Sequence, residues 1–265
     1  MSDPAGGLTA TATGDGPDVV LLHSLLTDRA VWDPVVPALA TERRVWQVDL
    51  PGYGGSPAAP PDIAAHADRV AGFLDDRDLP PDVAVVGNGL GAVVALALAV
   101  RHGARIGPLV LAGGAAQFPG AAKEPFATMA EVARTDGMAG VVDVAVRRIF
   151  TEDHLAAHPD ALAERRAVLL RTDPEVFARA CDALREVDLR AGLAGVDNPT
   201  LVVVGDQDRA TPPERARELA DGIPGAELVV LPDCAHAPQL QQPHAFLAAV
   251  APFLDLGSAA APTTA

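Results

Sequence analysis

The sequence has few cysteines and little positive charge. Its two cysteines, Cys181 and Cys234, cannot form the disulfide framework of a small secreted domain. The 20 lysines and arginines are outnumbered by 35 aspartates and glutamates, which gives a formal net charge of −15. Because nucleic acids and anionic lipids both attract basic surfaces, this charge argues against either as a partner.

The sequence also lacks a long apolar run and a recognisable leader. Residues 1–7 contain no basic residue and no apolar segment, so they do not resemble a signal peptide. The longest apolar stretch, residues 92–100, is too short to span a bilayer. We therefore expect a cytoplasmic protein. With 265 residues, of which 49% are hydrophobic, the chain is long enough to bury a full core.

Apolar segments alternate with amphipathic ones along most of the chain. Short runs of valine and leucine bounded by glycine or proline predict buried strands, and segments with a 3.6-residue period predict helices. This alternation predicts an α/β protein with a mostly parallel central sheet flanked by helices. The predicted strands are residues 19–23, 44–49, 82–87, 107–112, 200–205 and 227–231, and the predicted helices are residues 30–40, 63–77, 92–102, 213–222 and 244–254.

The alternation stops between residues 116 and 195, where only helical patterns occur. An insertion of this length is too long for a loop, and ligands of parallel sheets bind outside the carboxyl ends of the strands. We therefore expect a helical lid over those strand ends. The predicted division is a core of residues 1–115 and 196–256, a helical lid of residues 116–195 and a disordered tail of residues 257–265.

Three loci at the ends of predicted strands carry candidate chemistry. Residues 86–92, VGNGLGA, lead from a buried strand into an apolar helix through a glycine-rich turn. This is the layout of a nucleophile elbow, the sharp turn that presents a reactive side chain, but the reactive position is Gly89. Asp206 and Asp208 follow the fifth predicted strand, and His236 follows the sixth. Either carboxylate could orient the imidazole for general-base catalysis.

From residue 8 to residue 256 the chain resembles an α/β-hydrolase. Residues 21–25, LLHSL, resemble the oxyanion-hole strand of that family, and residues 49–56, DLPGYGGS, resemble its second fingerprint. The family spaces its acid as Gly-x-x-Asp, so the resemblance selects Asp208 as the partner of His236. It also implies an oxyanion hole made by the backbone N–H groups of Leu25 and Leu90.

Within the family, the chain is most similar to the 3-oxoadipate enol-lactonase group. Residues 24–28, SLLTD, with the following Trp32-Asp33, resemble a segment of those enzymes. Residues 208–213, DRATPP, and the pair Ala235-His236 resemble two more. The resemblance implies activity on a small lactone or ester.

The departure from the family is at the elbow, where the nucleophilic serine is replaced by Gly89. Our first interpretation is a natural enzyme that uses non-covalent chemistry. His236, oriented by Asp208, would deprotonate a water, a substrate hydroxyl or an acidic C–H in the space left at Gly89. Such a site suits hydrolysis or a cofactor-free cyclase or lyase reaction. The alternatives are an engineered serine-to-glycine replacement in a serine esterase or lactonase and a non-catalytic binding protein.

Further residues are candidates for substrate binding. Ser24, the one hydroxyl beside the predicted hole, could replace the missing nucleophile, but the resemblance already explains a serine there, so we expect a positioning role. Asn88 is a second candidate. Arg147 and Arg148 could hold a substrate carboxylate, although an exposed helix face is the favoured interpretation.

We expect no metal and no cofactor, because two aspartates without further clustered ligands are weak grounds for a metal site. The expected partner is a small-molecule substrate, with no nucleic acid and no membrane, and the oligomeric state stays open. The helical lid and the aromatic content of 4% predict a pocket with an aliphatic lining.

Overall fold

The computed structural model describes residues 7–256, apart from the side chains of residues 143 and 144. The predicted disordered tail, residues 257–265, lies outside the described residues. Within the described part, seven strands form one sheet in the order β1-β3-β2-β4-β5-β6-β7. The strands are β1 Ala10–Thr13, β2 Asp18–Leu22, β3 Arg44–Val48, β4 Ala84–Asn88, β5 Leu109–Ala112, β6 Thr200–Gly205 and β7 Glu227–Leu231.

The sheet is parallel except for its first strand, which confirms the predicted mostly parallel α/β architecture. β1 pairs antiparallel with β3, and every other neighbouring pair is parallel. The central strands β2, β4, β5 and β6 are buried along their whole lengths, as expected from their unbroken apolar runs. β1 was not predicted from the sequence, because its residues ATAT are mostly exposed at the sheet edge and form no apolar run.

Helices flank the sheet. One predicted helix, residues 30–40, is instead a 3₁₀ turn, Arg29–Trp32, followed by a single helical turn. Pro34 lies between the two and has no N–H for a helical hydrogen bond. The α-helices are α1 Val36–Leu39, α2 Ile63–Asp76, α3 Leu90–His102, α4 Glu124–Asp136, α5 Met138–Val146, α6 Glu152–Ala157, α7 Pro159–Leu169, α8 Pro174–Glu186, α9 Pro213–Gly222, α10 Pro238–Gln241 and α11 Pro243–Phe253. None of them is long and apolar enough to pass through a lipid bilayer.

The core has two layers, one on each side of the sheet. The first layer contains α2 and α3, and the second contains Trp32 against Phe246, with ring centroids 6.0 Å apart. The start of helix α3 lies so close to the end of β2 that a Cβ at Gly91 would overlap the carbonyl oxygen of Leu22. This close approach brings the elbow turn to the carboxyl edge of the sheet.

Helices α4 to α8 fill the segment between β5 and β6. Phe118, before α4, packs edge-to-face against Phe126 within α4, with centroids 4.8 Å apart. Met129 on α4 and Leu184 on α8 are buried on the same side, towards the ends of the strands. This helical segment therefore supplies one wall of the cavity described below.

Within residues 7–256, the buried histidines His23 and His66 form no ion pair with a described residue. His23, at the end of β2, has a neutral ring in which both nitrogens are used: Nδ1–H donates to the carbonyl of Ser24 at 2.9 Å, and Nε2 accepts from the N–H of Leu50 at 3.0 Å. Burial lowers the pKa of His23 from 6.5 to about 4, and burial does the same for His66 in α2. Protonating either ring in the folded protein is therefore costly.

Acidification should destabilise the protein through these two rings. Between pH 6.5 and about pH 4 the unfolded chain binds protons that the folded chain excludes, so the free energy of unfolding falls as pH is lowered. We expect each ring to account for a loss of about 2 kcal/mol between pH 7 and pH 5, measured by urea unfolding. His66→Leu should remove about 2 kcal/mol of that loss. His244→Gln, at an exposed position, is the matched control, and equal losses in all three proteins would refute this explanation.

Candidate active site

The turn from β4 into α3 has the geometry of a nucleophile elbow without a nucleophile. Gly89 occupies it with φ 55° and ψ −114°, a left-handed conformation that favours glycine. Its N–H donates to the carbonyl of Ala112 on β5 at 2.9 Å, and its carbonyl accepts from Val93 N–H at 3.1 Å. The turn is thus held at both ends, by the sheet and by the first turn of α3.

His236 and Asp208 form a buried pair beside this turn. Asp208 follows β6 and His236 follows β7, and because the two strands are parallel neighbours their ends meet at one edge of the sheet. His236 Nδ1–H donates to Asp208 Oδ2 at 2.9 Å. The other carboxylate oxygen accepts from the N–H groups of Ala210 and Thr211, both at 2.8 Å. The carboxylate is thus fixed, and it leaves Nε2 of His236 as the acceptor that faces the elbow.

Ser24 lies in a tight bend after β2. Its N–H donates to Thr27 Oγ1 at 3.1 Å, and its carbonyl accepts from the N–H and the hydroxyl of Thr27, each at 3.2 Å, and from His23. The next carbonyl, of Leu25, accepts from the hydroxyl of Tyr53 at 3.2 Å. The backbone of the bend is therefore rigid, and the side chain of Ser24 is aimed into the site.

The space expected to be vacant at Gly89 is filled by Ser24. A Cβ at Gly89 would overlap Ser24 Oγ and would lie 2.8 Å from Nε2 of His236. Ser24 Oγ itself is 3.4 Å from that nitrogen. The expected space is therefore narrowed by the Ser24 hydroxyl, because β2 and β4 are neighbours and carry Ser24 to the elbow.

Two backbone N–H groups are free to bind an oxyanion. In the described part of the chain, neither the Leu25 N–H nor the Leu90 N–H donates to a protein acceptor. Leu90 is the first residue of α3, where an N–H has no partner within the helix and the helix dipole is positive. Both residues line the same cavity as His236. These are the two donors that the resemblance implied.

The cavity is small and mainly apolar. Its volume is about 30 Å³, which is room for roughly one or two water molecules, and a polar pocket of about 250 Å³ adjoins it at Arg148. The expected aliphatic lining is only partly right, because the rings of Phe118 and Phe126 line the cavity together with leucines and Met129. The lining residues are Ser24, Leu25, Leu26, Gly89, Leu90, Phe118, Phe126, Met129, Arg148, Leu184, Ala210, Thr211 and His236.

Asn88 lies behind the site and does not line the cavity. Its amide nitrogen donates to the carbonyls of Ala112, at 3.2 Å, and His236, at 2.8 Å, and its amide oxygen accepts from Gln239 at 3.0 Å. The side chain is fully buried. These contacts support a structural function, fixing the loop that carries His236, in place of the predicted substrate contact. The contact with Gln239 was not predicted from the sequence. The one signal for it is Asn88 itself, because an amide buried at a strand end requires hydrogen-bond partners.

The two predicted arginines differ in position. Arg148, directly after α5, lines the cavity and also a larger polar pocket next to it, whereas Arg147 is exposed and lines only that outer pocket. Burial lowers the pKa of Arg148, and the nearby charge of Asp208 opposes this change. Arg148 makes no hydrogen bond or ion pair with another described residue, so its guanidinium is available to an anionic group.

Asp206 and Cys234 lie outside the reactive geometry. Asp206 is exposed and accepts from the N–H of Cys234 at 3.3 Å. Burial raises the pKa of the Cys234 thiol to about 12, so it is not a thiolate at neutral pH. Among residues 7–256, no three His, Cys, Asp or Glu side chains are grouped as metal ligands.

Comparison with known proteins gives consistent results. A family model described as the alpha/beta hydrolase family matches residues 19–250. The pimeloyl-[acyl-carrier protein] methyl ester esterase of Nitrosomonas europaea is 34% identical over 244 residues, which is 89% of this chain and 94% of that protein.

Solved structures extend the comparison. The enol-lactonase of Burkholderia xenovorans matches with a TM-score of 0.88 and 34% identity, covering 94% of this chain and 96% of that one. A thermophilic esterase of Thermogutta terrifontis matches with a TM-score of 0.87 and 31% identity, covering 94% and 93%. The family match spans most of the chain, and the fold agrees with it from β2 to α11. The chain belongs to the alpha/beta hydrolase family.

Proposed function

We propose that the protein hydrolyses a small ester or lactone, with His236 as general base, Asp208 as its orienting carboxylate and no covalent bond at residue 89. The observation that carries this proposal is the arrangement at the cavity. Nε2 of His236 faces the same small space as the free N–H groups of Leu25 and Leu90. A base and two oxyanion donors around one cavity are what acyl transfer requires.

The proposed chemistry follows from these groups. His236 takes the proton of the attacking O–H group, and Asp208 stabilises the imidazolium that forms. The carbonyl oxygen of the substrate gains negative charge and binds the N–H groups of Leu25 and Leu90. Each such donor typically contributes about 3 kcal/mol to transition-state stabilisation. A wholly non-covalent route, predicted from the sequence, would place water beside Nε2, where the nearest hydroxyl of the described chain is that of Ser24, 3.4 Å away.

Hydrolysis is favoured over a cyclase or lyase reaction by the relatives. Their names denote a methyl ester esterase and an enol-lactonase, and a lactone is a cyclic ester. The engineered-replacement alternative would place a serine at residue 89, whose Cβ would meet Ser24 Oγ, so the Ser24 side chain would have to rotate away. A binding protein without catalysis would not need the Asp208–His236 pair, whose two polar side chains are both nearly inaccessible to solvent.

We extend the proposal to the acid part of the substrate. Arg148 lies where the cavity joins the outer pocket and has no ion-pair partner in the described chain. A half-desolvated guanidinium binds carboxylates strongly and with defined geometry. Substrates with a free carboxylate a short distance from the reacting ester are therefore favoured, and the exposed Arg147 contributes a weaker attraction. The proposed partner is therefore a small-molecule substrate with a free carboxylate.

The base is tested by replacing His236. His236→Gln should lower kcat/KM for small enol-lactones and aryl esters about 10³-fold, because a general base contributes about 10²–10⁴-fold. Asp208→Asn should lower it by a similar factor, since the imidazole would lose its orientation. The measurement is a steady-state assay over this substrate panel. His102→Gln, in which the replaced ring contacts Asp68 on the surface, is the control. Unchanged turnover of these substrates by His236→Gln would contradict the proposal.

The arginine is tested with a matched pair of substrates, the monomethyl and the dimethyl ester of one dicarboxylic acid. Arg148→Gln should raise KM for the monomethyl ester about 10- to 100-fold, because one charge-assisted contact is worth about 1.5–3 kcal/mol. The KM of the neutral diester should change little, and Arg147→Gln should produce a smaller increase. Equal changes for both esters would show that Arg148 does not recognise the carboxylate.

A further inference from the structure

We propose that Ser24 is the nucleophile of this enzyme, in place of the missing elbow serine. The proposal rests on the function proposed above, because it uses the same base and the same oxyanion donors. It goes further by assigning a covalent acyl-enzyme to a residue on a different strand. The observation that supports the proposal is that the hydroxyl of Ser24 occupies the space of a side chain at residue 89. This hydroxyl lies 3.4 Å from Nε2 of His236.

The sheet register explains how a serine on β2 reaches the elbow. β2 and β4 are parallel neighbours, with Leu22 paired to Gly87. Two residues beyond that pair, Ser24 and Gly89 lie side by side. A Cβ at Gly89 would lie 3.0 Å from the Cβ of Ser24 and would overlap its Oγ. A side chain at residue 89 would have to displace the Ser24 hydroxyl, and in this chain only Ser24 carries a hydroxyl into this space.

The hydrogen bonds give Ser24 the partners of a catalytic serine. Nδ1–H of His236 donates to Asp208, so Nε2 is an acceptor, and Ser24 O–H donates to it across 3.4 Å. Such contacts are often long before a substrate binds. Among the described residues, Ser24 Oγ has no other hydrogen-bond partner, and Ser24 is only 1% exposed. A nucleophile, a base within reach and a carboxylate that orients the base make up the signature of nucleophilic catalysis.

Two oxyanion donors line the same cavity as Ser24. In an elbow, one donor is the N–H of the residue after the nucleophile. Leu25 follows Ser24 in this way, and its N–H is free. Leu90, at the positive end of α3, supplies the second donor. The cavity also holds one other hydroxyl, that of Thr211, for which no hydrogen bond to His236 is formed in the described structure.

The covalent step uses only the substrate and water. The proton of Ser24 moves to Nε2 of His236 while Oγ bonds to the carbonyl carbon, and the carbonyl oxygen becomes the oxyanion. The tetrahedral intermediate then expels the alcohol oxygen, which takes the proton from His236, and an acyl ester on Ser24 remains. Water attacks that ester with His236 as base. The carboxylic acid leaves, and Ser24 regains its proton.

The test is active-site labelling with a small fluorophosphonate, followed by peptide mass mapping. We expect one phosphonyl group per chain, on Ser24, displaced fluoride being the leaving group. Ser24→Ala and His236→Gln should each slow labelling at least a hundredfold, because removing the nucleophile or its base disables the whole unit. Thr211→Val, which removes the other cavity hydroxyl, should still be labelled on Ser24. Label on another residue, or undiminished labelling of Ser24→Ala, would overturn the proposal.

A double substitution that exchanges the residues at positions 24 and 89 controls for variants that fail to fold. Ser24→Gly combined with Gly89→Ser returns the side chain to the elbow and removes the overlap, so the label should move to residue 89. Gly89→Ser alone should label more slowly than the double substitution, because the two side chains compete for one space. If Ser24→Ala hydrolyses esters as fast as the original protein while His236→Gln does not, the proposed function stands and the nucleophile is water. If His236→Gln is also unaffected in both assays, the proposed function fails as well.

Discussion

The buried hydrogen bond between Asp208 and His236 is the interaction on which the site depends. Both side chains are almost inaccessible to solvent, and a polar group buried without a partner costs about 1–3 kcal/mol. Asp208 is satisfied by two backbone N–H groups as well as by the ring, so its orientation is over-determined. The pair therefore presents Nε2 in one direction only, towards the end of β2 and the elbow turn.

The rest of the architecture brings other groups to that nitrogen. The carboxyl ends of β2, β4, β6 and β7 meet at one edge of the sheet and carry Ser24, Gly89, Asp208 and His236. Behind them, Asn88 and Gln239 fix the loop of His236, and His23 fixes the bend of Ser24. The supporting contacts are made by buried amides and a neutral ring, which hold the reactive groups without adding charge. On the mechanism proposed above, the site uses His236 and two backbone N–H groups together with the hydroxyl of Ser24 in place of an elbow serine.

The parallel sheet and the strand ends that carry the elbow, the acid and the histidine could be predicted from the sequence, because unbroken apolar runs mark the buried strands and parallel strand ends meet. The choice of Asp208 over Asp206 came from the resemblance to the family. Strand β1 could not be predicted, since its residues ATAT at an exposed edge have no apolar pattern. The filling of the space at Gly89 depends on the register of β2 against β4, and register comes from tertiary packing. The amide contacts of Asn88 likewise depend on side-chain conformations that single-chain patterns do not encode.

The central claim, that His236 activates the hydroxyl of Ser24, is tested most directly by rapid-mixing kinetics with a small aryl ester. An acyl-enzyme whose hydrolysis is slower than its formation releases the first phenolate in a burst equal to the enzyme concentration. We expect such a burst from the protein as it exists, together with an acyl mass increment on Ser24, and neither from Ser24→Ala. Equal kcat/KM in the two proteins, with no burst and no acyl group in either, would contradict the account.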